Sequence, residues 1–244
     1  MWSSIEQIIK PDNLNEASVL LKEKGSVLFA GGTYLVAQKD RVVHTLIDIN
    51  HLINDKIETH GSDIHIDAGC TLQEIIGFTN LPLNSAILGA CSSKNIRNQR
   101  TIGGEIARRR TDSDLLIFLF SARAKLLIGE SDAPIELCDW NGNGIIVKII
   151  IPQHAVKLER VALLDSAPAY VLVGINELKD TISVSVVGKT SEILCFQTKP
   201  EPDEAEVRKF MDEVEANFDD DHLGSPTYKR HLVCKLLQEM AVVR

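Results

Sequence analysis

The chain has 244 residues, of which 44% are hydrophobic and 25% charged, and a formal net charge of −8 at pH 7. This composition excludes a disordered chain, and the acidic balance argues against nucleic acid, which needs a surplus of Lys and Arg on some face. The longest apolar run, Leu115 to Phe120, is far below the roughly 20 residues that span a bilayer, and Met1-Trp2-Ser3-Ser4-Ile5-Glu6 lacks the build of a secretory leader. The expectation is a cytoplasmic protein that meets no membrane, long enough for two domains or three small lobes.

In chain order, Pro11 to Glu16 reads as a helix start with Asn13 or Asn15 as cap and Ala17, Leu20 and Leu21 on one face, and Gly25 closes it. Val27 to Ala30 is a short strand that runs into Gly31-Gly32-Thr33, followed by a helical turn from Tyr34 to Lys39 and a strand from Thr45 to Ile49. From Ile57 the pattern changes to short strands with turns. Asp63 to Gly69 alternates apolar and polar residues, and Thr71 and Glu74 have capping-box spacing. Pro82 breaks the chain before a helix around Ala86 to Ala90.

A second glycine pair follows in Thr101-Ile102-Gly103-Gly104-Glu105, read as a cradle. Thr111, Asp112 and Ser113 then supply cap chemistry for a helix starting near Asp114. Glycine pairs let backbone N–H groups approach a bulky anion; one alone reads first as an ordinary turn, and it is the occurrence of two that points to a ligand. Ala124 to Ile128 and Gly144 to Ile151 read as strands, ended by Pro152. Ala169 to Ile175 and Thr181 to Val187 read as a hairpin, and Glu201 to Phe218 and Tyr228 to Val243 as helices, giving a sheet with helices on one face.

Five scattered cysteines without Cys-x-x-Cys spacing offer no zinc or iron–sulfur ligand set, and the seven histidines form no ligand pair. Asp219-Asp220-Asp221 lacks calcium-loop spacing and reads as a solvated acidic turn. No metal site is expected.

At the glycine pairs the sequence resembles the FAD-binding subunits or domains of the molybdenum hydroxylases, the xanthine dehydrogenase and carbon monoxide dehydrogenase group. Ala30-Gly31-Gly32-Thr33 matches that family's first flavin-contacting segment. Ile96-Arg97-Asn98, two residues, then Thr101-Ile102-Gly103-Gly104 matches its second. Asp114 falls where the family has an Asp, and Gly224-Ser225-Pro226-Thr227-Tyr228 matches a motif near the C-terminus. The resemblance runs through nearly the whole chain, in order.

It implies an α+β fold: a two-lobed FAD-binding domain of the PCMH/VAO type over residues 1–152 (lobe 1 about 1–53, lobe 2 about 54–152), then a small α+β C-terminal domain over 153–244. It further implies an FAD-dependent oxidoreductase subunit that passes electrons from a partner iron–sulfur subunit, beside a molybdopterin subunit, to NAD or another acceptor. Its cofactor contacts would be Ala30, Gly31, Gly32, Thr33, Tyr34, Leu35, Thr101, Ile102, Gly103, Gly104, Asp114 and Lys157. No catalytic residue is assigned. The alternative for Asp114 is a first-turn acid on a helix dipole and for Lys157 a solvated surface lysine, while Ser225 and Tyr228 read as fold residues.

Three departures stand out. Tyr34 replaces a small polar residue. Glu105 replaces an Asn and would repel phosphates unless it turns away or pairs with an arginine. Arg108-Arg109-Arg110 replaces small residues and, with Arg97 and Arg100, concentrates five positive charges, read as a solvated patch, as charge balance for a dinucleotide, or as a dock for an acidic partner. They leave open a non-catalytic scaffold that has lost flavin, and a stand-alone flavin reductase.

Overall fold

The computed structural model describes residues 2–78, 82–152, 156–164, 169, 171–178, 181–188, 193–199 and 202–240. In chain order its elements are β1 (Gln7–Ile9), α1 (Leu14–Leu20), β2 (Ser26–Phe29), α2 (Leu35–Gln38), β3 (Thr45–Asp48), β4 (Ile57–His60), β5 (Asp63–Asp67) and α3 (Leu72–Phe78). Then come α4 (Leu83–Ala90), α5 (Lys94–Arg97), α6 (Ile102–Ala107), α7 (Asp114–Ser121), β6 (Lys125–Ile128), β7 (Ile135–Glu136) and β8 (Ile146–Pro152). The chain continues with β9 (Val156–Val161), β10 (Val171–Leu178), β11 (Thr181–Gly188), β12 (Leu194–Thr198), α8 (Glu204–Ala216) and α9 (Pro226–Glu239). Among the described residues, no helix is long and apolar enough to cross a membrane.

By its contacts the chain divides into two compact units, each built from separated stretches: Met1–Phe78, Ser93–Arg109 and Lys125–Ile151 in the first, and Thr79–Ser92, Arg110–Ala124 and Pro152–Arg244 in the second. The first unit holds two sheets. One is parallel, in the order β1-β3-β2, and the other runs β4-β5-β8-β6-β7. Asn13 caps α1 by accepting a hydrogen bond from Glu16 N (2.9 Å), so that Ala17 faces Ile47, Ile49 and Ile145 in the core beneath the parallel sheet. Thr71 and Glu74 close a capping box, with Thr71 N donating to Glu74 Oε2 (2.8 Å) and Glu74 N to Thr71 Oγ1 (3.3 Å), which starts α3. The parallel sheet delivers the chain from β2 straight into Gly31.

The second unit is built on an antiparallel sheet, β12-β11-β10-β9, whose two faces are separated by the alternation of β10. Val171, Val173 and Ile175 pack against Phe210, Met211 and Val214 of α8 and Val233 and Leu237 of α9. Leu172 packs against Ile117 of α7. Gly174 lies on that same face, where a Cβ would run into the Ser121 hydroxyl. The sequence places helices on one face of this sheet. The α8–α9 pair covers one face, and α7, nearly all of whose residues are buried, covers the other.

Lys229 of α9 is fully buried, an arrangement that is costly unless the ammonium is paired. Its Nζ donates to the Asp219 carbonyl (2.8 Å) and pairs with Asp221 Oδ1 (3.0 Å). The acidic turn read as solvated therefore serves, at Asp219 and Asp221, as the partner of an internal cation.

Candidate functional site

In the first unit a cavity of about 510 Å³ is lined by Ala30, Gly31, Gly32, Thr33, Tyr34 and Leu35 and, from the second glycine segment, by Thr101, Gly103 and Gly104. Two stretches some seventy positions apart in the sequence thus share one wall system. Their approach depends on Gly31, where a Cβ would run into the Gln99 carbonyl just before Thr101. Gly32 has φ +66°, a left-handed conformation that glycine adopts without strain, and a Cβ there would run into the Phe29 ring.

The two segments use their amides differently. Among the described residues, the successive N–H groups of Gly31, Gly32, Thr33, Tyr34 and Leu35 have no intramolecular acceptor. A run of unsatisfied amides in a loop is a concave donor surface for an anion. In the second segment, Ile102 N donates to the Cys70 carbonyl (2.9 Å) and Gly103 N to the Ala68 carbonyl (3.0 Å). Gly104 N donates to Thr101 Oγ1 (3.1 Å), the cap of α6. The expectation that these amides reach an anion is corrected: the segment is the first turn of a helix whose donors are used within the fold. Ile102 is fully buried and does not line the cavity. What Thr101, Gly103 and Gly104 offer is a wall without bulky side chains.

Several lining residues escaped the sequence reading. Asn50, whose side-chain N donates to Asp48 Oδ1 (2.8 Å) and the Ala30 carbonyl (3.4 Å), ties the first loop to the end of β3. Trp140, Gly142 and Gly144 line it from the turn before β8, where Trp140 Nε1 donates to the Asn143 carbonyl (2.7 Å). The Gly142-Asn143-Gly144 turn was the available signal. Asp55, Arg100 and Arg108 also line the cavity. Glu105 has a fully buried side chain and pairs with Arg100 Nη1 (3.3 Å) and Arg108 Nη1 (3.8 Å), which resolves its expected repulsion of phosphates.

Asp114 and Lys157 belong to the second unit. Asp114 begins α7 after the Ser113 cap and is 2% exposed, seated where Gly89 leaves room for its carboxylate. Burial pushes its carboxyl above the usual carboxylate range, against the pull of Arg160, whose Nε lies 3.4 Å from Oδ2. Oδ1 is buried with no hydrogen-bond partner among the described residues. Lys157, on β9, is exposed and pairs with Glu177 Oε1 (3.3 Å). Ser225 caps α9 by accepting from Tyr228 N (3.2 Å), consistent with a fold residue.

At the surface of the first unit, Glu136, Cys138 and Asp139 place three ligand atoms within 4.8 Å of one another. The Cys138 thiol donates to Glu136 Oε2 (3.5 Å) and Asp139 Oδ1 (3.8 Å). Cys70 is buried, and burial pushes its thiol up to about 12, so it is chemically quiet.

The family described as FAD binding domain in molybdopterin dehydrogenase matches residues 3–154, more than half of the chain. The chain belongs to that family. FAD is the family's cofactor, and the residues of this chain fit it: the acceptor-free amides suit a diphosphate, and a Cβ at Gly31 would run into the Gln99 carbonyl and displace the loop that presents them. Escherichia coli (strain K12) has an uncharacterised protein, YgfM, that is 35% identical over 133 residues, 52% of this chain and 51% of that protein. The chain spans about half the length of the curated relatives it matches.

Among solved structures, a carbon monoxide dehydrogenase from Hydrogenophaga pseudoflava aligns with a TM-score of 0.72 at 19% identity, covering 96% of this chain and 95% of that one. Quinoline 2-oxidoreductase from Pseudomonas putida 86 aligns at 0.71 and 16% identity, covering 96% and 94%. These likenesses establish the fold that the sequence resemblance implied.

Proposed function

We propose that this chain is the FAD-carrying electron-transfer subunit of a molybdenum hydroxylase related to xanthine dehydrogenase. It works in the cytoplasm beside an iron–sulfur subunit and a molybdopterin subunit and delivers electrons to NAD or another acceptor. The observation that carries this reading is the run of acceptor-free amides from Gly31 to Leu35, in a cavity that Thr101, Gly103 and Gly104 also line. A bound flavin supplies the ability to take electrons singly and give them up as a pair.

The chain's own residues bind and orient. The amides of Gly31 to Leu35 donate to the diphosphate, and the Thr33 hydroxyl adds a side-chain donor. Gly103 and Gly104 admit the ligand closely, and Ile102 anchors their helix in the core. Asp114, whose Oδ1 is buried without a hydrogen-bond partner among the described residues, and Lys157, which pairs with Glu177, both belong to the second unit. The same reading takes residues 1–152 as the cofactor-binding domain and 153–244 as the C-terminal domain.

The test is the visible spectrum of the purified chain before and after titration with FAD. We expect a yellow protein that takes up one equivalent and quenches flavin fluorescence. A colourless chain that retains no flavin would overturn the reading in favour of a scaffold without cofactor. NADH oxidation by the FAD-loaded chain alone would point instead to a self-sufficient reductase.

A further inference from the structure

The five arginines that the sequence concentrates around the second glycine segment have different partners in the structure. Arg97 Nε donates to Gln73 Oε1 (3.0 Å) and Arg109 Nη1 to the Trp140 carbonyl (2.9 Å). Arg110 forks onto Asp112 with bonds of 2.7 and 2.8 Å. Arg100 and Arg108 are arranged otherwise. Both line the cavity, both reach the same buried carboxylate of Glu105, and Arg108 stacks on Tyr34 with its guanidinium carbon 3.9 Å from the ring centroid.

We infer that Arg100 and Arg108 form a guanidinium clamp that reads the diphosphate of the dinucleotide, an inference that rests on the flavin reading above. Arg100 and Arg108 share Glu105 as a counter-charge, and both line the cavity. Glu105 holds them at a depth where a lone charge would be costly. Tyr34 belongs to the acceptor-free amide loop, so its stack fixes the Arg108 fork beside those amides. A planar fork and a row of N–H donors match a phosphate better than either alone. Asp55, the other charged lining residue, is an acceptor suited to a ligand hydroxyl. Tyr34, Glu105 and Arg108, departures from the family pattern taken singly, then act together: ring, counter-charge and clamp.

The clamp predicts which part of the ligand is sensed. FAD, ADP and riboflavin are titrated into the wild-type chain and into Arg100→Met and Arg108→Met, followed by flavin fluorescence and calorimetry at low and high salt. Losing one charge-assisted contact should weaken FAD and ADP roughly 10- to 100-fold. The salt dependence of their binding should become shallower, and riboflavin, which has no phosphate, should be unaffected. Arg108→Lys keeps charge and stem but not the fork, so an intermediate loss is expected, and this variant carries the test if the Met variant fails to fold.

FAD and ADP affinities within about two-fold of wild type in the folded variants would overturn the clamp while the flavin reading stands. A wild-type chain that binds neither FAD nor ADP would overturn both. Equal losses for riboflavin and FAD would show a general collapse of the cavity and would also overturn the clamp.

Discussion

The first glycine segment, Gly31-Gly32-Thr33, and the second, Thr101-Ile102-Gly103-Gly104, look alike as letters and put glycine to opposite uses. In the first, the chain leaves a parallel strand, turns through a left-handed glycine and leaves its amides without acceptors among the described residues. In the second, each amide from Ile102 to Gly104 has an acceptor, at Cys70, Ala68 or the Thr101 hydroxyl. The missing side chains there let a helix settle against Ala68, where a Cβ on Gly103 would come within 2.7 Å of the Ala68 Cβ. A glycine pair therefore signals close approach, and whether the approaching atoms are donors for a ligand depends on what else the amides find.

The strongest way to break this comparison is Gly31→Ala. Its Cβ would meet a backbone carbonyl, which cannot rotate away, so the loop and the Gln99–Arg100 segment must part. Overpacking of this kind costs about 3 kcal/mol. The donor row moves with the loop, so FAD affinity should fall by about two orders of magnitude or more, beyond what the change in melting temperature accounts for. Titration with FAD beside a thermal melt checks both. Unchanged affinity would mean that the first loop is a turn and not a donor surface.

Gly103→Ala should show the reverse balance. The new methyl meets the Ala68 Cβ and, at 3.0 Å, its carbonyl oxygen, to which Gly103 N is bonded. The expected loss is about 1–2 kcal/mol of stability, read by denaturant unfolding, with FAD affinity falling by less than about tenfold. A loss of affinity as large as that of Gly31→Ala at unchanged stability would contradict the division of labour.

Much of the frame was readable because it follows from local rules. The Asn13 cap, the Thr71–Glu74 box, the Ser113 cap and the alternation of β10 each sit within a few residues of the element they define. What was not readable lay in long-range pairing. Two adjacent glycines argue against a helix, yet α6 forms there because the Cys70 and Ala68 carbonyls receive its first free amides and Thr101 caps it. Glu105 looked like a liability beside phosphates because its partners could not be chosen from sequence among five nearby arginines. Likewise α7, continuous in sequence with the second glycine segment, packs in the second unit, because its all-round apolar surface says that it is buried and not against what.

The smallest effect is the most discriminating. At Gly104 an added Cβ meets only the Thr101 hydroxyl, at 2.9 Å, and the position is helical, where Ala is favoured over Gly by about 1 kcal/mol. The strain on the cap and the gain in propensity nearly offset, so Gly104→Ala should change stability by no more than about 0.5 kcal/mol. Gly104 nevertheless lines the cavity, and a methyl there takes space that the ligand would use. A several-fold loss of FAD affinity at unchanged stability would identify close approach as the function of this glycine. Unchanged affinity would confine the second segment to packing and leave ligand recognition to the first loop.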